Sequence, residues 1–366
     1  MKLMLKTLGR ASLVFLLLVT FLWLTASKDE GLYDSAAEEA GGRVILVDDR
    51  DREFTPTEPL SSLLSSPPSA ASSSSLVEPP PFNVWVFVVI PADRGAMLNY
   101  YFHHYLSLGM PPENFYIIIH VKDDTKQRQG LLETKRVLKG LRVPFSVWNG
   151  EFTTREKARV LRVAKQERGL KPRDWVLQTD SDELQQWKVL MQQPELRGVG
   201  EGGEPLRRFD TIQEVLYEVD RRNYTHIMGW MMDRLTLDGS LRDPLPFRPE
   251  GPSLEEQYPL GCMVTKRIAH GLDAKVVAHK VAYPLKGGGA HMMAPNPQLR
   301  PWERKMPVHH FKFVPEMRPM LEDRVAVFKK NNISWYDESE KILAHLNQHN
   351  GKFCVNCPEL NCQRKN

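Results

Sequence analysis

From residue 83 onward, short apolar runs alternate with segments whose apolar positions recur every three or four residues. The run 84–90 (Val-Trp-Val-Phe-Val-Val-Ile) is nearly unbroken, the pattern of a strand buried on both faces. Met97, Tyr101, Tyr105 and Leu108 then fall on one face of a helix, which Gly109 ends and Pro111-Pro112 prevents from continuing. Residues 115–120 read as a second strand, 125–139 as a helix terminated by Gly140, and 143–148 as a third strand. Thr153 with Glu156 makes a capping box for a helix over 154–168, with Val160, Leu161 and Ala164 inward and Gly169 at its end. A fourth strand, 174–180, follows, and the β-α-β-α-β order predicts a parallel sheet with right-handed crossovers. Helical spacing returns over 316–330 and 339–347.

Upstream the pattern is different. Residues 11–27 carry no charge and lie between Lys2, Lys6 and Arg10 on one side and Lys28, Asp29 and Glu30 on the other. The length is at the lower limit for a spanning helix and slightly above a secretory signal core, so an anchor and a cleaved signal both fit. Thr25-Ala26-Ser27 gives no clean A-x-A site, and an uncleaved anchor is the preferred reading. The preceding positive charges predict a cytosolic tail over 1–10 and a lumenal remainder, in a thin early-secretory or Golgi membrane. Residues 28–82, rich in Ser and Pro, cannot bury enough surface to order and read as a stem. The folded domain is expected over 83–350, with a Cys-containing tail over 351–366.

Composition adds two limits. With 42% hydrophobic and 26% charged residues, the chain can build a large core over part of its 366 residues, and a formal charge of +4 argues against a nucleic-acid partner. Cys354, Cys357 and Cys362 form C-x2-C-x4-C, a zinc spacing in a reducing compartment but a disulfide set in the lumen, with Cys262 as a further candidate and the pairing open. Asn223-Tyr224-Thr225 and Asn332-Ile333-Ser334 are glycosylation sequons if the domain is lumenal.

Candidate chemistry centres on Asp174-Trp-Val-Leu-Gln-Thr-Asp-Ser-Asp-Glu183. An apolar strand delivers Asp180 and Asp182 into the following turn, where both can lean on one hard cation, while Glu183 is expected to open a helix. An Asx turn with a helix N-cap accounts for the same residues without a metal. Between 155 and 173, eight Lys or Arg face two Glu, the pattern of a solvated helix face or of a basic surface beside an anionic diphosphate.

These stretches together resemble the glycosyltransferases of family 2-like and family 92-like type. The matching segments are 102–109 (Phe-His-His-Tyr-Leu-Ser-Leu-Gly), 114–120 (Asn-Phe-Tyr-Ile-Ile-Ile-His), 174–183, 229–234 with Asp238-Gly239, 256–260, 287–291 and 308–313. They span about residues 83 to 350. Leu184, where relatives carry an aromatic, and Phe313, where they often carry Trp, depart from the pattern. The resemblance implies an α/β fold of the GT-A (Rossmann-like) type, with a nucleotide-sugar-binding sheet covered by helices on both faces. It implies a nucleotide-sugar donor, a glycan or glycoprotein acceptor, and Mn²⁺ or Mg²⁺ on Asp180 and Asp182. Asp123 or Asp124 matches the carboxylate that contacts the nucleoside, and Arg94 is placed to pair with phosphate. Inverting transfer needs a carboxylate base, for which Asp233 is the first candidate and Glu255 and Glu256 the reserves. His309 and His310 stand where related folds supply a late metal ligand, and alternation sends them to opposite faces. Gly287 to Gly289 suggest a loop close to ligand, with His291 at its end as a donor-binding candidate. A catalytically silent domain of the same fold is the alternative, whereas a sulfotransferase is disfavoured because G-x-x-x-x-G-K-[ST] is absent.

Overall fold

A computed structural model of the chain describes residues 81–92, 95–122, 124–192 and 209–364. The anchor expected over 11–27 and nearly all of the stem lie outside the described residues, among which no helix is long and apolar enough to cross a membrane. Arg94 and Asp123 also lie outside them, as does the side chain of Asp124.

The apolar runs form the centre of a ten-stranded mixed sheet. Strands β1 (Val84–Pro91), β2 (Phe115–Val121), β3 (Phe145–Asn149) and β4 (Trp175–Asp180) pair in parallel, as the alternation predicts, and their order is β3-β2-β1-β4. β2 is buried along its whole length and β1 at all but two positions, because helices cover both faces of a parallel sheet. The crossovers are α1 (Gly95–Ser107), α2 (Asp124–Gly140) and α3 (Thr154–Glu167). Gly109 and Gly169 end the first and third at φ +81° and +63°, the left-handed conformation that a side chain resists. Thr153 caps α3 by accepting from the Glu156 amide at 3.1 Å.

Past β4 the sheet turns antiparallel. Strand β5 (Glu183–Gln185) follows the acidic turn directly, so Glu183 opens a strand and not the expected helix. A short α4 (Trp187–Met191) and α5 (Ile212–Arg221) lead into β6 (His226–Leu235). After α6 (Leu254–Gln257) come β7 (Leu260–Cys262), α7 (Val264–Arg267), β8 (Ala274–Lys280) and β9 (Met306–His310). β8 bridges the halves, antiparallel to both β4 and β6. β9 runs parallel to β6 along its other edge and antiparallel to β5.

Helices α8 (Met317–Lys330) and α9 (Tyr336–Gln348) pack on the end of β6 through a separate cluster that includes Leu235, Phe313, Met317, Leu321, Ile342 and Leu346. Phe353 and Leu360 of the C-terminal segment are buried in the same cluster, so that segment belongs to the fold. It ends in β10 (Gln363–Arg364), paired with β7, and disulfides join Cys262 to Cys362 and Cys354 to Cys357. Both sequon asparagines, Asn223 and Asn332, are exposed.

Candidate active site

Asp180 leaves the sheet at the C-terminal edge of the parallel strands, where open α/β sheets place their ligands. The turn at Ser181 and Asp182 returns the chain into β5, and the Phe311 amide donates to the Asp182 carbonyl at 2.8 Å, tying the turn to the end of β9. Register then does the rest: Glu183 lies opposite His310, and His310 opposite Asp233 on β6.

The result is a line of three side chains. His310 is buried, with Nδ1 at 2.9 Å from Asp233 Oδ1 and Nε2 at 3.9 Å from Asp182 Oδ2. Asp233 is 1% exposed, and its carboxylate also accepts from the Thr265 amide at 2.6 Å and the Thr265 hydroxyl at 2.9 Å. A carboxylate at Nδ1 makes that nitrogen the donor and leaves Nε2, the atom nearer Asp182, with the lone pair. Burial disfavours the imidazolium, but Asp233 and Asp182 outweigh it and raise the pKa of His310. Asp233 is therefore placed to orient a histidine. Its oxygens are not open to an acceptor hydroxyl, contrary to the base role expected for it.

Asp180 is held differently. Its carboxylate is paired with Lys157 of α3 and lies 3.1 Å from Lys275 Nζ of β8. Lys275 also bonds Glu183 Oε1 at 2.6 Å, and the Asp180 amide donates to Glu183 Oε2 at 3.1 Å. Burial works against ionisation of Asp180, yet the two ammonium groups hold its pKa well below the ordinary value. Of the basic run on α3, only Lys157 is buried, on the same face as Val160, Leu161 and Ala164. Lys165 reaches Gln178 Oε1 at 3.0 Å, and Arg155 and Arg162 point to solvent. Neither Lys157 nor Lys275 was singled out from sequence. For Lys275 the signal was available, a lysine between Ala274 and Val276 at the start of an apolar strand.

His291 borders this cluster, its Nδ1 donating to the Ala274 carbonyl at 2.7 Å; burial, then the charge of Lys275, lowers its pKa to about 4. The loop before it closes on α3. A Cβ at Gly288 would stand 2.7 Å from the Thr154 carbonyl oxygen and 3.0 Å from the Ala158 amide, and one at Gly289 would stand 2.8 Å from His291 Cδ2. The glycines thus permit close packing of protein on protein.

His309 points to the other face of β9, as alternation requires, and the structure does not bring it to Asp182. Its Nδ1 lies 3.2 Å from Glu255 Oε1, and the Gln186 amide lies within 3.3 Å of both. Burial opposes ionisation of Glu255, but His309 outweighs it and brings the pKa down to about 2. Glu256, the other reserve base, is used in a capping box: its Oε2 accepts from the Ser253 amide at 2.7 Å.

One buried group outside the site gives the fold a pH dependence. His279 on β8 is 2% exposed, its Nδ1 donates to the carbonyls of Lys280 and Tyr283, and burial, then Lys165, lowers its pKa to about 3. The folded state keeps it neutral while the unfolded chain protonates it below about pH 6.5. The unfolded state then binds more protons, so stability falls as pH falls from about 6.5 toward 3, by ~1.4 kcal/mol per pH unit from this group. His279→Leu should flatten the slope of unfolding free energy against pH by about that amount between pH 6 and 4.5, whatever it does to absolute stability. An unchanged slope in urea titrations would show that His279 is not the group responsible.

No family model matches the sequence, and no curated protein matches it. Among solved structures the chain is similar to S. aureus TarS 1–349, at a TM-score of 0.28 and 12% identity, over 70% of each chain. An overlap that loose carries no argument about function.

Proposed function

We propose that this chain is a metal-dependent glycosyltransferase with a GT-A-like fold, which transfers a sugar from a nucleotide sugar to a glycan or glycoprotein acceptor. The line Asp182, His310, Asp233 at the C-terminal edge of the parallel strands carries this reading. The β3-β2-β1-β4 parallel order continued by antiparallel strands is consistent with it.

The residues fit a divalent cation. Asp182 offers a carboxylate, and His310 turns Nε2 toward it while a buried carboxylate fixes the opposite nitrogen, the usual support for a metal-bound histidine; a cation would take the place of the Nε2 proton that the two carboxylates favour without it. A carboxylate oxygen with an imidazole nitrogen suits Mn²⁺ better than Mg²⁺, which keeps to oxygen ligands. Such an ion supplies Lewis-acid neutralisation of the charge that develops on a departing diphosphate. Asp180, balanced by Lys157 and Lys275, shapes the turn that presents Asp182. Of the three carboxylates considered for the acceptor proton, Asp233 is held by His310 and Thr265, Glu256 by a backbone cap, and Glu255 by His309 on the other face of β9, so none of them is placed as the base. Residues 11–27 would anchor the enzyme as a single-pass protein in the Golgi or endoplasmic reticulum, with the catalytic domain lumenal. His291, Arg94, Asp123 and Asp124 remain the candidates for donor contact.

A second reading has one observation in its favour. Lys157 and Lys275 already neutralise Asp180, as they would in a silent domain that no longer binds metal.

The test is release of nucleoside diphosphate by the full-length protein from a panel of nucleotide sugars, with Mn²⁺ or with chelator. Turnover should require the metal, and Asp182→Asn should lower it on the order of 100-fold or more, the scale of losing one preorganised group that stabilises developing charge. Asp233→Asn should weaken metal affinity by about 10–100-fold through a misoriented His310. Turnover that ignores both chelator and Asp182→Asn would rule out the metal role, and a well-folded protein that neither binds nor turns over any donor would favour the silent domain.

A further inference from the structure

The C-terminal turn holds a second constellation that the transferase reading does not use. α9 ends at Gln348, and Asn350 and Gly351, at φ +53° and +78°, reverse the chain so that 352–357 passes back over the last helical turn. One ligand atom from each of His349, Cys354 and Cys357 lies within 4.8 Å of the others. The sequence reads His345-x3-His349-x4-Cys354-x2-Cys357, in which the spacing within each pair is that of two-Cys, two-His zinc sites in reversed order and the link between the pairs is shorter. The fold settles which histidine serves. His345 accepts the Cys354 amide at Nε2 (3.3 Å) and lies against Phe353, with ring centroids 5.6 Å apart, so it fixes the backbone of the first cysteine. His349 is the imidazole left beside the sulfurs.

We propose that Cys354, Cys357 and His349 form a redox-gated site for a borderline-soft divalent cation, Zn²⁺ in the first instance. In the structure the pair is a disulfide and the site is closed. A thiol reductant opens it: two electrons and two protons pass to the sulfurs, and the reductant leaves as its own disulfide. The cation then displaces the two thiol protons to solvent and is held by two thiolates and one neutral imidazole, with a fourth position left to water.

The frame does not depend on the disulfide. Before the turn, the Phe353 amide bonds the Gly239 carbonyl at 2.9 Å, with its ring buried against Phe313. After it, Leu360 is fully buried and its carbonyl accepts the Met263 amide at 3.0 Å. Between these points the Cys357 amide bonds the Cys354 carbonyl at 2.9 Å, a turn that keeps both sulfurs on one side when their bond opens. Cys354 and Cys357 are half-buried and reachable by a small thiol, whereas Cys262 of the other disulfide is 1% exposed.

The full-length folded protein is equilibrated in glutathione redox buffers with and without Zn²⁺, and free thiols are trapped and located by mass spectrometry. Zn²⁺ should raise the ratio of reduced to oxidised Cys354–Cys357 by the factor 1 + [Zn²⁺]/Kd and leave Cys262–Cys362 unchanged. Replacing Zn²⁺ by Co²⁺ should give a thiolate-to-metal charge-transfer band. His349→Ala should reduce the Zn²⁺ effect at least tenfold, and Cys357→Ser should cut the band to no more than the intensity of one thiolate bond. A ratio indifferent to Zn²⁺, or a His349→Ala protein that responds like wild type, overturns the proposal. An equal shift at both disulfides does so too, because it would report general thiol chelation.

Discussion

Lys275→Met lowers the stability of the folded domain by about 3–5 kcal/mol, the cost of removing one partner from a buried ion pair. Lys275 and Glu183 are 2% and 1% exposed, and Nζ lies 2.6 Å from Glu183 Oε1 and 3.1 Å from Asp180 Oδ2. Burial alone would drive the lysine neutral, yet the two carboxylates outweigh it and raise its pKa. The two acids fare differently once the ammonium is gone. Asp180 is a third exposed and keeps Lys157, whereas Glu183, whose pKa burial already raises, keeps the Asp180 amide and must either hold its charge without the ammonium or take up a proton at a cost. Adding Glu183→Gln should therefore restore a large part of the loss, because the amide oxygen still accepts the Asp180 N–H and the charge has gone. Urea unfolding of wild type, both single variants and the double variant measures the coupling directly. A single-variant loss below about 1 kcal/mol, or strictly additive effects, would show that the pair is not held as described.

The same cluster shows where sequence reasoning stops. The parallel half was legible because its strands are continuous apolar runs bounded by caps and glycines, all local signals, and so Asp180 was correctly expected at a strand end. Glu183 was misread as a helix start because its strand exists only through pairing with His310, more than a hundred residues later. That His309 and His310 face opposite ways follows from the period of two. Which of them turns toward Asp182 depends on the register of β6 against β9, which no local pattern encodes. Asp233 was expected as a base, but it lies inside β6 and its partner Thr265 is 32 residues downstream, on a four-residue helix without a strong sequence signature. The position of Glu256 was readable: Ser253-Leu-Glu-Glu256 is a capping box, and that motif assigns the residue to helix initiation before any catalytic role.

The two disulfides should differ sharply in what they contribute, and the difference follows from topology. Cys262–Cys362 closes a loop across a sequence separation of 100, whereas Cys354–Cys357 spans a separation of 3. In the chain-entropy account, a loop of the first size removes about 4.7 kcal/mol of unfolded-state freedom, and one of the second size about 2 kcal/mol. The long staple also fastens the end of the chain: β10 pairs with β7 through Gln363 opposite Gly261 and Arg364 opposite Leu260, two residue pairs that could not hold a terminal strand alone. Replacing both Cys262 and Cys362 by Ala should thus cost on the order of 4–5 kcal/mol in non-reducing urea titrations and loosen the cluster of Leu235, Phe353 and Leu360. Replacing Cys354 and Cys357 should cost less than half as much, because the turn between them is already held by Phe353 and Leu360. If the short pair proves as costly as the long one, loop closure is not the source of the stabilisation, and strain or packing at the 354–357 turn must take its place. The expected asymmetry also frees the short disulfide to open under mild reduction while the fold persists, the condition on which a redox-gated metal site at Cys354, Cys357 and His349 depends.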